Sequence, residues 1–360
     1  MTFIASASTV AGQYHGRTIT INGGVSTLFS IIVNEPGDGS ETNPFRVYDV
    51  ASLLQVGRNT RSGWTRSAHY RQEANIDIIS IPNWTPIGTG LNPFIGTYNG
   101  DGYTIRNLTI NSTEIGRGLF RYVGTDGVVY NLALRDVDIT ANASTVGGVA
   151  GDNRGKIHNC YVTGNIRGNQ QVYGGVVGSC SSALTTPGII EDCYSTVNIT
   201  GSHAIGGVVG RSAIIRNCYA TGNMSGSGTF GNIGGVIGII DNHGTGTVQN
   251  LVALNRSVVT TTSTTNIGRV VGAMSSGTPI NVYGRLGMTL TQNNGDPVTI
   301  TPSTTNRHGE HCGSTDWHST LWWRNTVGFS DTSWDIVSNR LPRLRTDKGQ
   351  PFKEEQNPVP

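Results

Sequence analysis

One six-residue phrase recurs along the chain: apolar, any, Asn or Asp, apolar, any, then small or apolar. It occurs at 105–110, 129–134, 157–162, 190–195, 215–220 and 248–253, with a degraded copy at Asn281-Val282. The Asn/Asp positions (Asn107, Asn131, Asn159, Asp192, Asn217, Asn250) lie 24, 28, 33, 25 and 33 residues apart. Helical repeats hold a nearly fixed length, because each unit must present the same faces to its neighbours. A parallel β-helix keeps its strands in register and lets its loops vary. The uneven spacing therefore selects the β-helix.

A second phrase, Gly-Gly-Val-x-Gly, alternates with the first at 147–151, 174–178, 206–210 and 234–238, with weaker copies at Gly118-Leu119-Phe120 and Gly268-Arg269-Val270-Val271-Gly272. The valines fill an interior and the glycines permit bends beside it. Alternation breaks at each Asn, which suits a corner whose side chain bonds nearby backbone or the Asn of the next coil. Fifty glycines and only 13% charged residues agree with many short strands joined by turns. The expectation is an all-β chain, a parallel β-helix of roughly seven to nine coils.

The phrase Gly-Gly-Val-x-Gly followed by Asn-Cys-Tyr-Ala-Thr-Gly-Asn (217–223) resembles the GLUG repeat of bacterial surface proteins. The stretches 83–89, 94–100 and 102–105 look like the entry segment of such repeats, and 321–344 resembles their closing segment, so the likeness covers roughly residues 40–345. It implies a β-solenoid of adhesin-like surface proteins, some of them attached to peptidases.

The expected organisation is an N-terminal hairpin and assembly segment (1–40), a capping helix with the first coils (41–104), the repeat solenoid (105–285), closing coils with a Trp-rich cap (286–345) and a tail (346–360). Thr18–Ile21 and Leu28–Val33 read as strands around Asn22-Gly23-Gly24. Val47, Val50, Leu53 and Leu54 share one face of a short helix that closes one end of the stack. Trp317, Trp322, Trp323 and Trp334 fall in the segment expected to close the other. Residues 1–20 and 351–360 have no evident place in the solenoid, and ordering them costs roughly 1–2 kcal/mol of backbone entropy per residue. They are expected to pack against another copy or a neighbouring subunit.

Chemical motifs are sparse. Cys160, Cys193 and Cys218 occupy a column filled elsewhere by Leu108, Leu132 and Leu251, so they are expected to be core residues. Cys180 and Cys312 lie outside the column and are free to pair or not. His308-Gly309-Glu310-His311-Cys312, with His318 nearby, gathers metal-ligand types without zinc-site spacing and reads as a surface loop. Gly226–Gly231 matches a dinucleotide fingerprint by letters alone, since no helix is expected after it. Glycoside hydrolysis needs two carboxylates straddling the bond. Asp and Glu total 23 with no Asp-Asp pair, leaving only pairs assembled across coils, such as Glu191 with an acid one coil away. No metal or other cofactor is implied. Tyr161, Tyr194 and Tyr219 each follow an inward position, so they are expected to project outward in a row that stacks on sugar or protein.

A net charge of +2 gives no field for nucleic acid, and no apolar run is long enough for membrane insertion. The N-terminus shows neither the basic start nor the apolar stretch of about 7–15 residues of a secretory signal. The expected function is a non-enzymatic structural or attachment protein on the surface of a virion or a cell, with glycan or protein bound on its outer face. A secreted adhesin lacking its signal and a polysaccharide-degrading enzyme of the tailspike kind are the alternatives.

Overall fold

The structure is a computed structural model that describes residues 13–14, 31–32, 37–142, 144–180, 187–212, 214–229, 231–241, 246–262 and 266–360. It is all-β, with 5% helix and about nine turns of stacked parallel strands. A representative turn runs through Val128–Tyr130, the corner Asn131, Ala133–Ala141, Thr145–Gly147, the Gly-Gly bend and Ala150–Asn153. The next begins at Lys156–His158, paired in register with Val128–Tyr130. Each phrase of the sequence thus becomes a column: Val129, Ile157, Ile190, Ile215 and Val248 stack from turn to turn, as do Val177, Val209, Ile237 and Val271. Both columns are buried.

The corner residues explain the choice of Asn and Asp. Asn107, Asn131, Asn159, Asp192, Asn217, Asn250 and Asn281 all have φ between 49° and 61°. This left-handed region is tolerated by Asn and Asp, whose short polar side chains bond locally. At the Gly-Gly bends the need is for space. A Cβ on Gly207 would lie 2.1 Å from the Gly235 carbonyl oxygen of the next turn.

Cys160, Cys193 and Cys218 point inward with Leu108, Leu132, Leu251 and Val282, all fully buried. Burial pushes the Cys160 and Cys218 thiols well up. Cys180 and Cys312 are free and sit in different apolar clusters. Cys193→Leu is expected to change stability by about 1 kcal/mol or less, whereas Cys193→Asp, burying a charge, is expected to cost more than ~3 kcal/mol. A thiol reagent should label none of the three column cysteines until the chain is unfolded; fast native labelling would contradict the packing.

The first end is closed by the helix Val50–Leu53, capped by Asp49 and Ser52, and by a pile of aromatic rings running Phe45, Trp64, Tyr70, Phe94 and Phe120. Val47 belongs to the strand Phe45–Val47 rather than to the helix, which starts at Val50 after the cap at Asp49. Most of the expected hairpin at Thr18–Ile21 and Leu28–Val33, with its turn, lies outside the described residues; Gln13–Tyr14 pairs antiparallel with Ile31–Ile32.

The other end departs from expectation. It is closed by residues 296–312, with Val298 and Ile300 against the core and Glu310–Cys312 paired onto Tyr283–Arg285. His308–Cys312 is therefore part of the last coil, not a surface loop, and His308 and Cys312 are buried. Arg269, which replaces the second glycine of the bend motif, is fully buried here. The Trp-rich segment turns back instead and lies along the side of the rod. There it packs on the outward column of tyrosines and aliphatics.

Candidate functional site

The outward column runs Ala133, Tyr161, Tyr194, Tyr219, Val252 and Tyr283, one residue per turn. The Tyr161, Tyr194 and Tyr219 rings are parallel within 3°, with centroids 4.9 and 5.0 Å apart. They are not on the surface. All three are at most 1% exposed, covered by Trp323, Phe329, Trp334, Leu341, Leu344 and Phe352. In the folded chain the row cannot act as a stacking surface, because the closing segment forms a strap over it. Burial pushes the Tyr194 and Tyr219 hydroxyls well up and that of Tyr161 to about 12.

The strap is held by the corner column. Asn107 donates to Asp77, Asn131 to Asn99, Asn217 to Asp192, Asn250 to Asn217 and Asn281 to Asn250, at 2.8–3.1 Å. Between Asn131 and Asp192 the strap supplies the partners. Asn131 Nδ2 donates to Asp347 at 2.7 Å and its Oδ1 accepts the Asp347 N–H at 2.9 Å. Asn159 donates to the Arg345 carbonyl at 2.9 Å. Asp192 accepts from Ser333 Oγ at 2.9 Å and Trp334 Nε1 at 3.1 Å. Further on, the Tyr219 hydroxyl donates to the Pro342 carbonyl at 2.7 Å.

The tail follows the same path. Phe352 is buried against Tyr161, Lys353 N–H donates to Gly102, Glu354 meets Arg106 and Arg135, and Gln356 exchanges two hydrogen bonds with Leu344. Residues 351–360, expected to pack against another copy, thus make contacts with their own chain along this path. Gly102, with φ of 77°, permits this approach: a Cβ there would lie 3.1 Å from the Phe352 Cα. Residues 1–20, the other proposed assembly segment, lie almost wholly outside the described residues.

Burial raises Asp192 and Asp152 from 3.8 to about 6 each, outweighing the hydrogen bonds that Asp192 accepts from Ser333, Trp334 and Asn217 and that Asp152 accepts from Thr145. A carboxyl raised on folding binds its proton more tightly in the folded state. Its contribution is present at acid pH and is lost as pH rises from about 4 through 6. Two pKa units correspond to about 2–3 kcal/mol per group. Asp192→Asn, which suits the left-handed corner, is expected to stabilise the chain by about 1–3 kcal/mol at pH 7.5 and to change little at pH 4. Urea midpoints of both proteins at both pH values test this, and a less stable variant at pH 7.5 would contradict it.

The assembled carboxylate pair is not formed at Glu191. Its oxygens are held by Lys156 Nζ at 3.0 Å and Arg216 Nε at 2.8 Å, and its partners in register are His158 and Arg216. Among the described residues no three His, Cys, Asp or Glu side chains gather as a metal site. The stretch 226–231 starts at the last residue of the strand Met224–Gly226 and leads into the strand Asn232–Gly234, with Phe230 outside the described residues. A cleft of about 330 Å³ at the far end of the Gly-Gly bends is lined by Asn232, Asn266, Ala273, Met274, Ser275 and Arg307.

Sequence reasoning missed Arg106, Arg135, Arg269, Asp347, Phe352 and Glu354. Only Arg269 carried a local signal, as a charged residue in a glycine column. The others meet across the length of the chain.

Residues 142–167 and 201–225 match the GLUG motif. Halomucin of Haloquadratum walsbyi is 33% identical over 193 residues, 49% of this chain and 2% of that protein. A provisionally named Gly-rich membrane protein of Evansella cellulosilytica is 34% identical over 134 residues, 35% of this chain and 15% of its own length. The chain thus spans only a small part of these curated relatives. The crystal structure of a candidate immunoglobulin A1 protease from Bacteroides ovatus shares the fold, with a TM-score of 0.69 and 21% identity over 86% of this chain and 94% of that one. Among the described residues no helix is long and apolar enough to cross a membrane.

Proposed function

We propose that this chain is a non-catalytic rod displayed on the surface of a larger assembly, a cell or a virus particle, where its outer faces meet glycan or protein partners. The observation that carries this reading is the closure of the rod by its own sequence. Both ends are covered, and the apolar tyrosine column is strapped from the turn of Tyr283 back to that of Gly102. A unit closed in this way can stand within a longer surface polypeptide without leaning on its neighbours. Likeness to short stretches of much longer proteins, one named as a mucin and one as a membrane protein, supports the same reading.

Two measurements test it. Protease treatment of intact cells or particles that carry the protein should release its fragments. Incubation with surface polysaccharides should yield no new reducing ends. Sustained release of reducing ends would replace the rod with the polysaccharide-cleaving enzyme, and recovery of the protein only from the lysed interior would remove the surface assignment.

A further inference from the structure

We propose that Thr104, Arg106, Arg135 and Tyr161 form a binding site for a carboxylate-bearing sugar ring of an acidic polysaccharide, and that Phe352 and Glu354 close this site in cis. Arg106 and Arg135 are partners in register on adjacent turns. Their guanidinium groups converge on a single carboxylate: Arg106 Nη2 and Arg135 Nη1 lie 2.6 and 3.1 Å from Glu354 Oε2, and Arg106 Nε lies 3.3 Å from Oε1. Two guanidinium groups on one carboxylate are a recognition geometry for that group. Asp136, 3.5 Å from Arg106, is the acid nearest to the pair on the rod itself.

Beside this clamp the tyrosine row stops. In register, Tyr161 is followed by Ala133 and then Thr104, both small. The last ring of the stack therefore faces a recess, and Phe352 fills it, with its centroid 5.6 Å from that of Tyr161. Phe352 and Glu354 together present a six-membered ring and a carboxylate to an aromatic face and two guanidinium groups. A uronic acid carries both features in one residue, and the apolar face of its ring stacks on tyrosine. Thr104 Oγ1 and Tyr161 Oη are buried beside each other next to this recess. Sugar hydroxyls supply both donors and acceptors for such groups.

Only the short stretch 351–356 has to lift, while Trp334 and Asp347 stay seated on the corner column. A tethered cover competes at an effective concentration in the millimolar range, so the intact chain binds weakly and an uncovered one binds well. This inference gives a ligand to the non-catalytic reading above and rests on it for the partner class. Its failure leaves the surface and reducing-end tests of that reading untouched.

The test is calorimetric titration of polygalacturonate fragments into the full chain and into the Phe352→Ala/Glu354→Gln variant, after thermal melts confirm that both fold. The variant is expected to bind at least ~10-fold more tightly than the parent, to lose binding when Arg106→Ala and Arg135→Ala are added, and to ignore dextran. Equal binding by parent and variant, no binding by either, or binding that survives loss of both arginines would overturn the proposal. Equal binding of poly-L-glutamate would also overturn it, by assigning the clamp to acidic peptides.

Discussion

A chain ending at residue 332 is expected to lose most of its stability and to aggregate. Removing the strap uncovers Tyr161, Tyr194 and Tyr219, and takes Trp334, Leu341, Leu344 and Phe352 out of the same apolar cluster. Each large apolar side chain buried contributes about 1.5–3 kcal/mol. Losing a cluster of this size is expected to lower the unfolding midpoint strongly, because a whole domain is stable by only about 5–15 kcal/mol. The exposed face is a contiguous aromatic patch, which favours association. Chemical denaturation and light scattering check the two effects. The variant Trp334→Ala isolates part of the first, at about 3–5 kcal/mol. A monomeric truncated chain with unchanged unfolding midpoint would show that the strap is an ornament of the rod.

The second large effect is expected at Arg269. Its guanidinium is fully buried and has no carboxylate partner among the described residues. It donates instead to the carbonyls of His308 (2.8 Å), Gly284 (2.8 Å), Arg285 (3.2 Å) and Gly309 (2.6 Å), and lies 2.9 Å from His311 Nδ1. The His308, Gly309 and His311 groups belong to the last coil, and Gly284 and Arg285 to the turn it pairs with, so Arg269 ties the two together. Arg269→Met keeps much of the volume and orphans the carbonyls. A buried acceptor left without a donor costs about 1–3 kcal/mol, so a loss of about 3–5 kcal/mol is expected, with hydrogen exchange speeding first at residues 283–285 and 308–312. A loss below ~1 kcal/mol, near the value for an ordinary surface change, would mean that water reaches these carbonyls freely.

The coil strands were legible because each coil repeats its own constraints. The Asn corners, the valine and cysteine columns and the Gly-Gly bends follow from turn chemistry and alternation within a few residues. Alternation also gives the outward direction of Tyr161, Tyr194 and Tyr219. What covers them does not follow from local pattern, because the strap meets the row across more than a hundred residues, as in the bond from Tyr219 to Pro342. A strap of this kind has no periodicity; its matches, Asp347 for Asn131 and Glu354 for Arg106 and Arg135, are single residues. For the same reason the tail showed no evident place on the rod. Its polar groups are spent on the rod rather than on water.

The sealed tyrosine row is the centre of this account, and nitration tests it directly. Tetranitromethane modifies accessible tyrosines through the phenolate, so coverage and a raised hydroxyl pKa both protect. In the intact chain Tyr48, 53% exposed, should be nitrated at pH 8, while Tyr194 and Tyr219 remain unmodified in peptides mapped by mass spectrometry. In the chain ending at residue 332 both should react. Nitration of Tyr194 in the intact chain at the rate of Tyr48 would contradict the account, returning the row to the surface.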